Sequence, residues 1–414
     1  MLSTLKKEKL EDICITITDG SHFSPPTVEE GKPIASVKDM LDYDIDLESC
    51  RKISDDDYEA LVKGKCKPQI NDVLIAKDGS FLKKSFVVEA EPEYVLLSSI
   101  GILRPDTDII NPYYLMYHFH LDSFKRYVAN GFVSGTALKR IVLDAFKRIK
   151  INVPPIEEQE EIVNKIKPLD DKIRINEKLM TNLEEYSQLL YHKWFVNFDF
   201  PNENNDAYKE NGGKMKIMKG KEIPERWTVD YLPSLGEIVS GGTPLTSNDS
   251  YFAKKGIPWI TPKDLATTSN KYVSRGESDI TEIGLKNSSA QLMPKGAVLM
   301  SSRAPIGYLA IAKNQITTNQ GFKSIVPNLN IGSEFIYYTL KRIMPKIKIV
   351  GSGSTFKEVS TAVLSRLKIV KPENQVLKAF KQTIHPFSEK IRLLEEENEL
   401  LVEARNLLIH KLIK

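Results

Sequence analysis

The chain has 414 residues, enough for two or three domains, and 41% hydrophobic residues, enough for packed cores. Its net charge of +3 is too small to name a partner. No apolar run approaches the roughly 18 residues of a membrane helix, and "MLSTLKKEKLEDICITITDG" lacks the apolar core of a secretion signal. These features predict a cytoplasmic protein.

In chain order, Cys14, Cys50 and Cys66 come first, without the pair spacing of a zinc site. They read as small core or surface residues of a reducing compartment. "DVLIAKDG" (72–79) reads as a strand ending in a turn. "NPYYLMYHFHLDSFKRYV" (111–128) reads as one helix capped by Asn111 with Pro112 in its first turn. His118 and His120 then fall on the helix surface. "RIKINVPP" (148–155) reads as a closing strand. A helical arm follows, in which Ile173, Asn176, Met180, Leu183, Ser187, Leu190 and Trp194 recur at the three–four spacing of a coiled-coil seam. Residues 198–222, rich in Asn, Gly and Lys and without periodicity, read as a flexible basic linker. Beyond it, "GAVLMSSRAPIG" (296–307) reads as a strand, "GSEFIYYTLKRIM" (332–344) as a helix and "RLKIVKP" (366–372) as a closing strand. The second arm repeats the seam with Ile391, Leu394, Asn398, Leu401, Arg405, Leu408 and Leu412.

The two halves follow one plan. "LLYHK" (189–193) and "LLIHK" (407–411) lie 218 residues apart, as do Pro168 and Pro386, and "KIR" at 172 and 390. "SGTALK" (134–139) loosely matches "SGSTFK" (352–357), "PIASVKDM" (33–40) faces "PWITPKDL" (258–265), and "SSIGILRP" faces "TNQGFKSIVP" about Gly101 and Gly321. The expected organisation is a mixed α/β unit at 1–153, an arm at 154–197, a linker at 198–222, a second unit at 223–370 and a second arm at 371–414. Each arm reads as a short helix, a proline joint and a long helix of roughly 28–30 residues, or roughly 42–45 Å. Pairing the arms antiparallel buries both seams and relates the halves by a pseudo-two-fold axis. The alternative is that each arm covers only its own unit. Charge is uneven: residues 223–370 hold 18 basic and 10 acidic groups, against 21 and 24 in 1–150. The second unit therefore favours an anionic partner.

Catalytic motifs are missing. "NPYY" (111–114) lacks the second proline of the aminomethyltransferase tetrapeptide and reads as a helix start. "GSGST" (351–355) lacks the lysine of a phosphate loop. His118 and His120 have no third ligand nearby, so no metal site is expected. The chain reads as a scaffold and reader.

Along its whole length the sequence resembles the specificity subunit of type I restriction–modification systems. The resemblance rests on "ITDGSHFSPP" (17–26), "SGGTPLTSNDSYFAKKGIPWITPKDL" (240–265), "NQGFKSI" (319–325), "INVPPIEEQEEIV" (151–163), "WFVNFDFP" (194–201) and "EIPERW" (222–227). "KPENQ" (371–375) departs from the family's fuller Pro-Pro-x-x-x-Gln form, and "LSSIG" from "TTNQG". It implies two target recognition domains, each reading half of a split, asymmetric site in double-stranded DNA. The arms would form an antiparallel two-helix coiled coil that sets the gap and docks two methyltransferase subunits. Those subunits use S-adenosylmethionine to methylate adenine at N6. Two restriction–translocase subunits would add ATP- and Mg-dependent cleavage. The chain itself would be non-catalytic, bind no cofactor and contact no membrane. Loops matched between the copies supply the DNA-contact candidates: Ser21, His22, Lys38, Lys77, Lys83, Lys84, Lys139 and Arg140 in the first unit, and Thr243, Lys263, Arg303, Asn319, Gln320 and Lys357 in the second. Arg303 suits guanine, and Asn319 or Gln320 adenine, through paired hydrogen bonds. Two rival readings are a coiled-coil adaptor without DNA binding and a self-contained modification enzyme. The absence of a cofactor loop argues against the latter.

Overall fold

A computed structural model describes residues 6–78, 82, 84–134, 140–351 and 358–413. Lys83, Lys139 and Lys357 lie outside the described residues, as does nearly all of the "SGTALK" and "SGSTFK" match. The chain divides into two units, Met1–Ile175 with Asn398–Lys414, and Asn176–Glu397.

One strand plan is built twice. In the first unit a four-stranded sheet runs in the order Cys14–Asp19, Ile100–Pro105, Val73–Ala76, Ser85–Val87. The second unit repeats it as Gly236–Ser240, Lys323–Pro327, Val298–Ser302, Ile306–Ala312, with Tyr272–Val273 added at the edge. A smaller sheet in the first unit pairs Lys32–Ala35 antiparallel with Arg51–Ile53 and parallel with Val95–Leu96. Its counterpart pairs Ile257–Ile260 antiparallel with Ser278–Ile280 and parallel with Thr317–Thr318. The strand before each arm, Lys150–Val153 or Lys368–Lys371, closes antiparallel on an early strand of its unit, Lys6–Lys9 or Thr228–Tyr231. Val73–Ala76 is buried at every position, which explains why "VLIA" runs apolar without alternation.

Backbone bonds fix the repeat residue by residue. Lys77 N–H donates to Ser99 O, and Ser302 N–H to Gly321 O. Leu97 N–H donates to Ala35 O, and Asn319 N–H to Ile260 O. Gly321 therefore corresponds to Ser99, and the sequence pairing of Gly321 with Gly101 is two residues out of register. Two short glycine-bearing strings of different composition offer no apolar pattern to set the register; the hydrogen-bond ladder sets it.

The arms are single helices, Ile156–Phe195 and Asn374–Leu412, which pass through Pro168 and Pro386. This corrects the expected proline joint. An interior proline removes one backbone bond and costs about 3 kcal/mol. Packing on both sides offsets it: Ile166 and Ile173 flank Pro168, Ile384 and Ile391 flank Pro386, and all four are buried.

Within each unit the two helices run antiparallel. In the first unit Asp170 meets Arg405 at 2.9 Å, and three residues later the Ile173 carbonyl meets Asn398 at 3.5 Å. In the second, Asn176 donates to Glu397 (2.8 Å), Tyr186 packs on Phe387 and Trp194 on Phe380. Ile173, Asn176, Trp194, Ile391 and Leu394 are buried; Met180, Leu183, Leu190, Asn398, Leu401, Leu408 and Leu412 are half-buried. "LLYHK" and "LLIHK" bury the same way: exposed Leu, half-buried Leu, buried Tyr191 or Ile409, then exposed His and Lys.

Two further expectations change. The segment after Phe195 is packed: Phe200 stacks between Tyr208 and Trp227, and Met215–Met218 forms a hairpin with Lys221–Pro224. Its aromatic anchors are spaced irregularly, so no period reveals them. The helix expected over 111–128 breaks at Leu121 into Pro112–His120 and Asp122–Gly131. His118 is buried, not on the surface, and His120 is half-buried. Cys50 and Cys66 are buried, Cys14 is half-buried, and all three are free thiols.

Candidate nucleic-acid interface

In both units the loop after the first sheet strand is pinned by a glycine. A Cβ on Gly20 would fall 2.2 Å from the Leu96 carbonyl carbon, and one on Gly241 would fall 1.9 Å from Asn319 O. Only glycine lets the loop cross so close to the short parallel strand. Gly20 N–H faces Ile100 O and Gly241 N–H faces Phe322 O, so Ser21 corresponds to Gly242, and His22 to Thr243.

Around the first loop, Ser21 is buried and bonded to Phe23: its hydroxyl donates to Phe23 O (2.6 Å) and accepts from Phe23 N–H (3.1 Å). His22 is exposed, with Nε2 3.3 Å from Asp19. Lys77 is only 2% exposed, and its Nζ bonds Asp19. It is an internal ion pair and presents no ammonium to a ligand, which corrects its candidacy. The sequence hides this because a lysine two residues before Gly79 looks like any loop cation. Lys84 is half-buried, its Nζ on Met40 O. Arg140 pairs with Ser134 in a two-residue hairpin.

A second element is shared. Ser36 and Thr261 each cap a one-turn helix whose third residue, Asp39 or Asp264, returns a carboxylate to the cap. Asp39 accepts from Ser36 N–H and hydroxyl at 2.8 Å, and Asp264 from Thr261 N–H and hydroxyl at 2.7 Å. The boxes hold Lys38 and Lys263 at one matched position, both exposed, with Lys263 2.8 Å from Glu277.

In the second unit the structure brings Thr243 onto Gln320, hydroxyl to amide oxygen. Asn319 turns inward, its side-chain oxygen accepting Gly321 N–H at 2.8 Å, and so shapes the turn that exposes Gln320. Arg303 stands at the end of Val298–Ser302, one-third exposed and 3.8 Å from Glu358. Lys263 and Arg303 are thus each pre-paired with a carboxylate that an anionic ligand would displace. Sequence reasoning missed Asp19, the acid that organises the first loop; its signal was its place just before the glycine.

Among the described residues no group of three His, Cys, Asp or Glu is placed to hold a metal ion, and no helix is long and apolar enough to cross a membrane.

The family model for the type I restriction modification DNA specificity domain matches residues 4–185 and again 224–403. The MjaIX specificity subunit of Methanocaldococcus jannaschii is 45% identical over 153 residues, 36% of this chain and 35% of that protein. The putative MjaX specificity subunit of the same organism is 28% identical over 381 residues, 90% of this chain and 84% of that one. The HindI specificity subunit of Haemophilus influenzae is 25% identical over 350 residues, 72% of this chain and 75% of that one. The crystal structure of the type-I restriction-modification system S subunit from M. genitalium superposes with a TM-score of 0.59 at 13% identity, covering 100% of this chain and 98% of that one. Two family matches that together span most of the chain fall on the two copies of one strand plan, and the chain belongs to the type I restriction–modification DNA specificity family.

Proposed function

We propose that each α/β unit reads one half of a bipartite, asymmetric DNA site, and that the paired arms set the gap and dock two methyltransferase subunits. The observation that carries this is one backbone plan with different side chains at matched loop positions. His22 is replaced by Thr243, Lys77 by Ser302, and Leu97 and Ser98 by Asn319 and Gln320. Two similar readers with unlike contacts select an asymmetric site, whereas a homodimer selects a palindrome. The chain is the non-catalytic reader, cytoplasmic and without a cofactor of its own. S-adenosylmethionine, ATP and Mg belong to the methyltransferase and the two restriction–translocase subunits.

Base contacts on this reading come from exposed Gln320 and from Arg303, phosphate contacts from Lys38 and Lys263. Arg303→Ala is expected to cost roughly 1–3 kcal/mol at one half-site and to relax that half alone. Competition binding of the assembled methyltransferase to single-base variants of the site checks it; unchanged discrimination removes Arg303 from the reader. The whole reading is tested by mapping methylated bases in the host with the gene intact and deleted. A split adenine-methylated motif should vanish with the gene. If no motif depends on the gene while a methyltransferase copurifies with the chain, the adaptor reading replaces this one.

A further inference from the structure

We infer that a cavity in the first unit is a binding site for a phosphate group. The cavity has a volume of about 540 Å³, the size of a small-ligand site. Three separate stretches of chain bring cations to it: Lys84, then Lys125 and Arg126, then Arg405 near the end of the second arm. Asp42 and Asp122 are the carboxylates in its lining; both are exposed, and Asp122 stands 3.9 Å from Lys125. Arg405 is held rigidly by Asp170 (2.9 Å) and the Tyr43 hydroxyl (3.0 Å), so its guanidinium forms a fixed part of the wall.

The break at Leu121 supplies the rest. The ten-residue helix Asp122–Gly131 starts at the cavity wall, and its N-cap residue, Leu121, offers no side-chain acceptor to the first-turn N–H groups. An uncapped N-terminus beside converging cations is the arrangement that recognises a tetrahedral oxyanion. Among the described residues of the second unit, the helix Ser333–Val350 runs 18 residues without a break, so no such internal helix start arises beside the cleft against Tyr191 and His192.

The phosphate can be free, as in a small phosphorylated metabolite, or part of the DNA backbone. The full chain, in phosphate-free buffer, is titrated with inorganic phosphate by calorimetry. Saturable binding at one site is expected, weakened at least tenfold by Arg126→Glu and by Lys84→Gln, and unchanged by Lys286→Gln on the second unit. Both weakening variants alter partly or fully exposed residues, and their melting curves check that they fold. A short DNA duplex is then added as competitor. Displacement of phosphate assigns the site to the DNA backbone, and undisturbed phosphate binding assigns it to a free phosphate. No saturable phosphate binding, or binding that Arg126→Glu leaves unchanged, overturns the inference.

Discussion

Lys77→Met is expected to lower the stability of the first unit by roughly 3–5 kcal/mol, because it leaves a buried carboxylate without its counter-ion. Asp19 and Lys77 are both enclosed, and the His22 ring, 3.3 Å from Asp19, is exposed. Adding Asp19→Asn should restore most of the loss, since removing both charges removes the desolvation penalty with the attraction. The second unit shows that the plan does without the pair. Ser240 and Ser302 stand where Asp19 and Lys77 stand, as the register of the paired strands shows: Asp19 lies opposite Gly101, and Ser240 opposite Lys323. Denaturant unfolding of the single and double variants decides. If Lys77→Met leaves stability unchanged while DNA affinity falls, Lys77 returns to the interface and the ion pair is incidental.

Lys77 also marks how far the sequence carries. Lys6–Lys9 and Lys150–Val153 pair across almost the whole unit, yet the closing strand was legible because "KINV" sits between a helix pattern and a Pro-Pro boundary. The arms were legible because their period repeats over several turns. Pro168 and Pro386 misled because local propensity argues for a stop, whereas buried isoleucines on both sides of each proline argue for continuity, and burial is a tertiary fact. The segment after Phe195 was hidden for a related reason: Phe200, Tyr208 and Trp227 meet only through chain folding. Among the interface candidates, residue type located the loops, but partners decide what a side chain offers. Asn319 turns to Gly321, and Gln320 stays exposed, though nothing in "NQG" ranks one above the other.

Between about pH 4.5 and 7 the two units should respond to acid in opposite directions. His118 is buried in the first unit. Its Nδ1–H donates to Tyr114 O at 3.0 Å, its Nε2 has no partner among the described residues, and burial pushes its pKa down to about 4. The unfolded chain takes up this proton near pH 6.5 and the folded chain only near 4. The stability is therefore fully present above 6.5 and is lost as pH falls towards 4, by about 3 kcal/mol. His120 shifts in the same direction, through burial and the nearby Arg405. Glu395, buried in the second unit, accepts Lys271 N–H at 2.5 Å and Tyr272 N–H at 3.2 Å, yet burial pushes its pKa up to about 7. Here the folded chain keeps a proton that the unfolded chain has released. The stability is fully present below about 4.5 and is lost as pH rises to 7, again by about 3 kcal/mol. Burial pushes the Lys271 ammonium down, and Glu184 is held below the usual carboxylate range because Lys271, Tyr338 and Lys341 outweigh its burial. Hydrogen-exchange protection should fall on acidification in the helix Pro112–His120 and rise in the strand Val298–Ser302. His118→Gln should flatten the first response and Glu395→Gln the second. Parallel responses in both units would mean that neither buried group governs its unit, and that exposed carboxylates dominate instead.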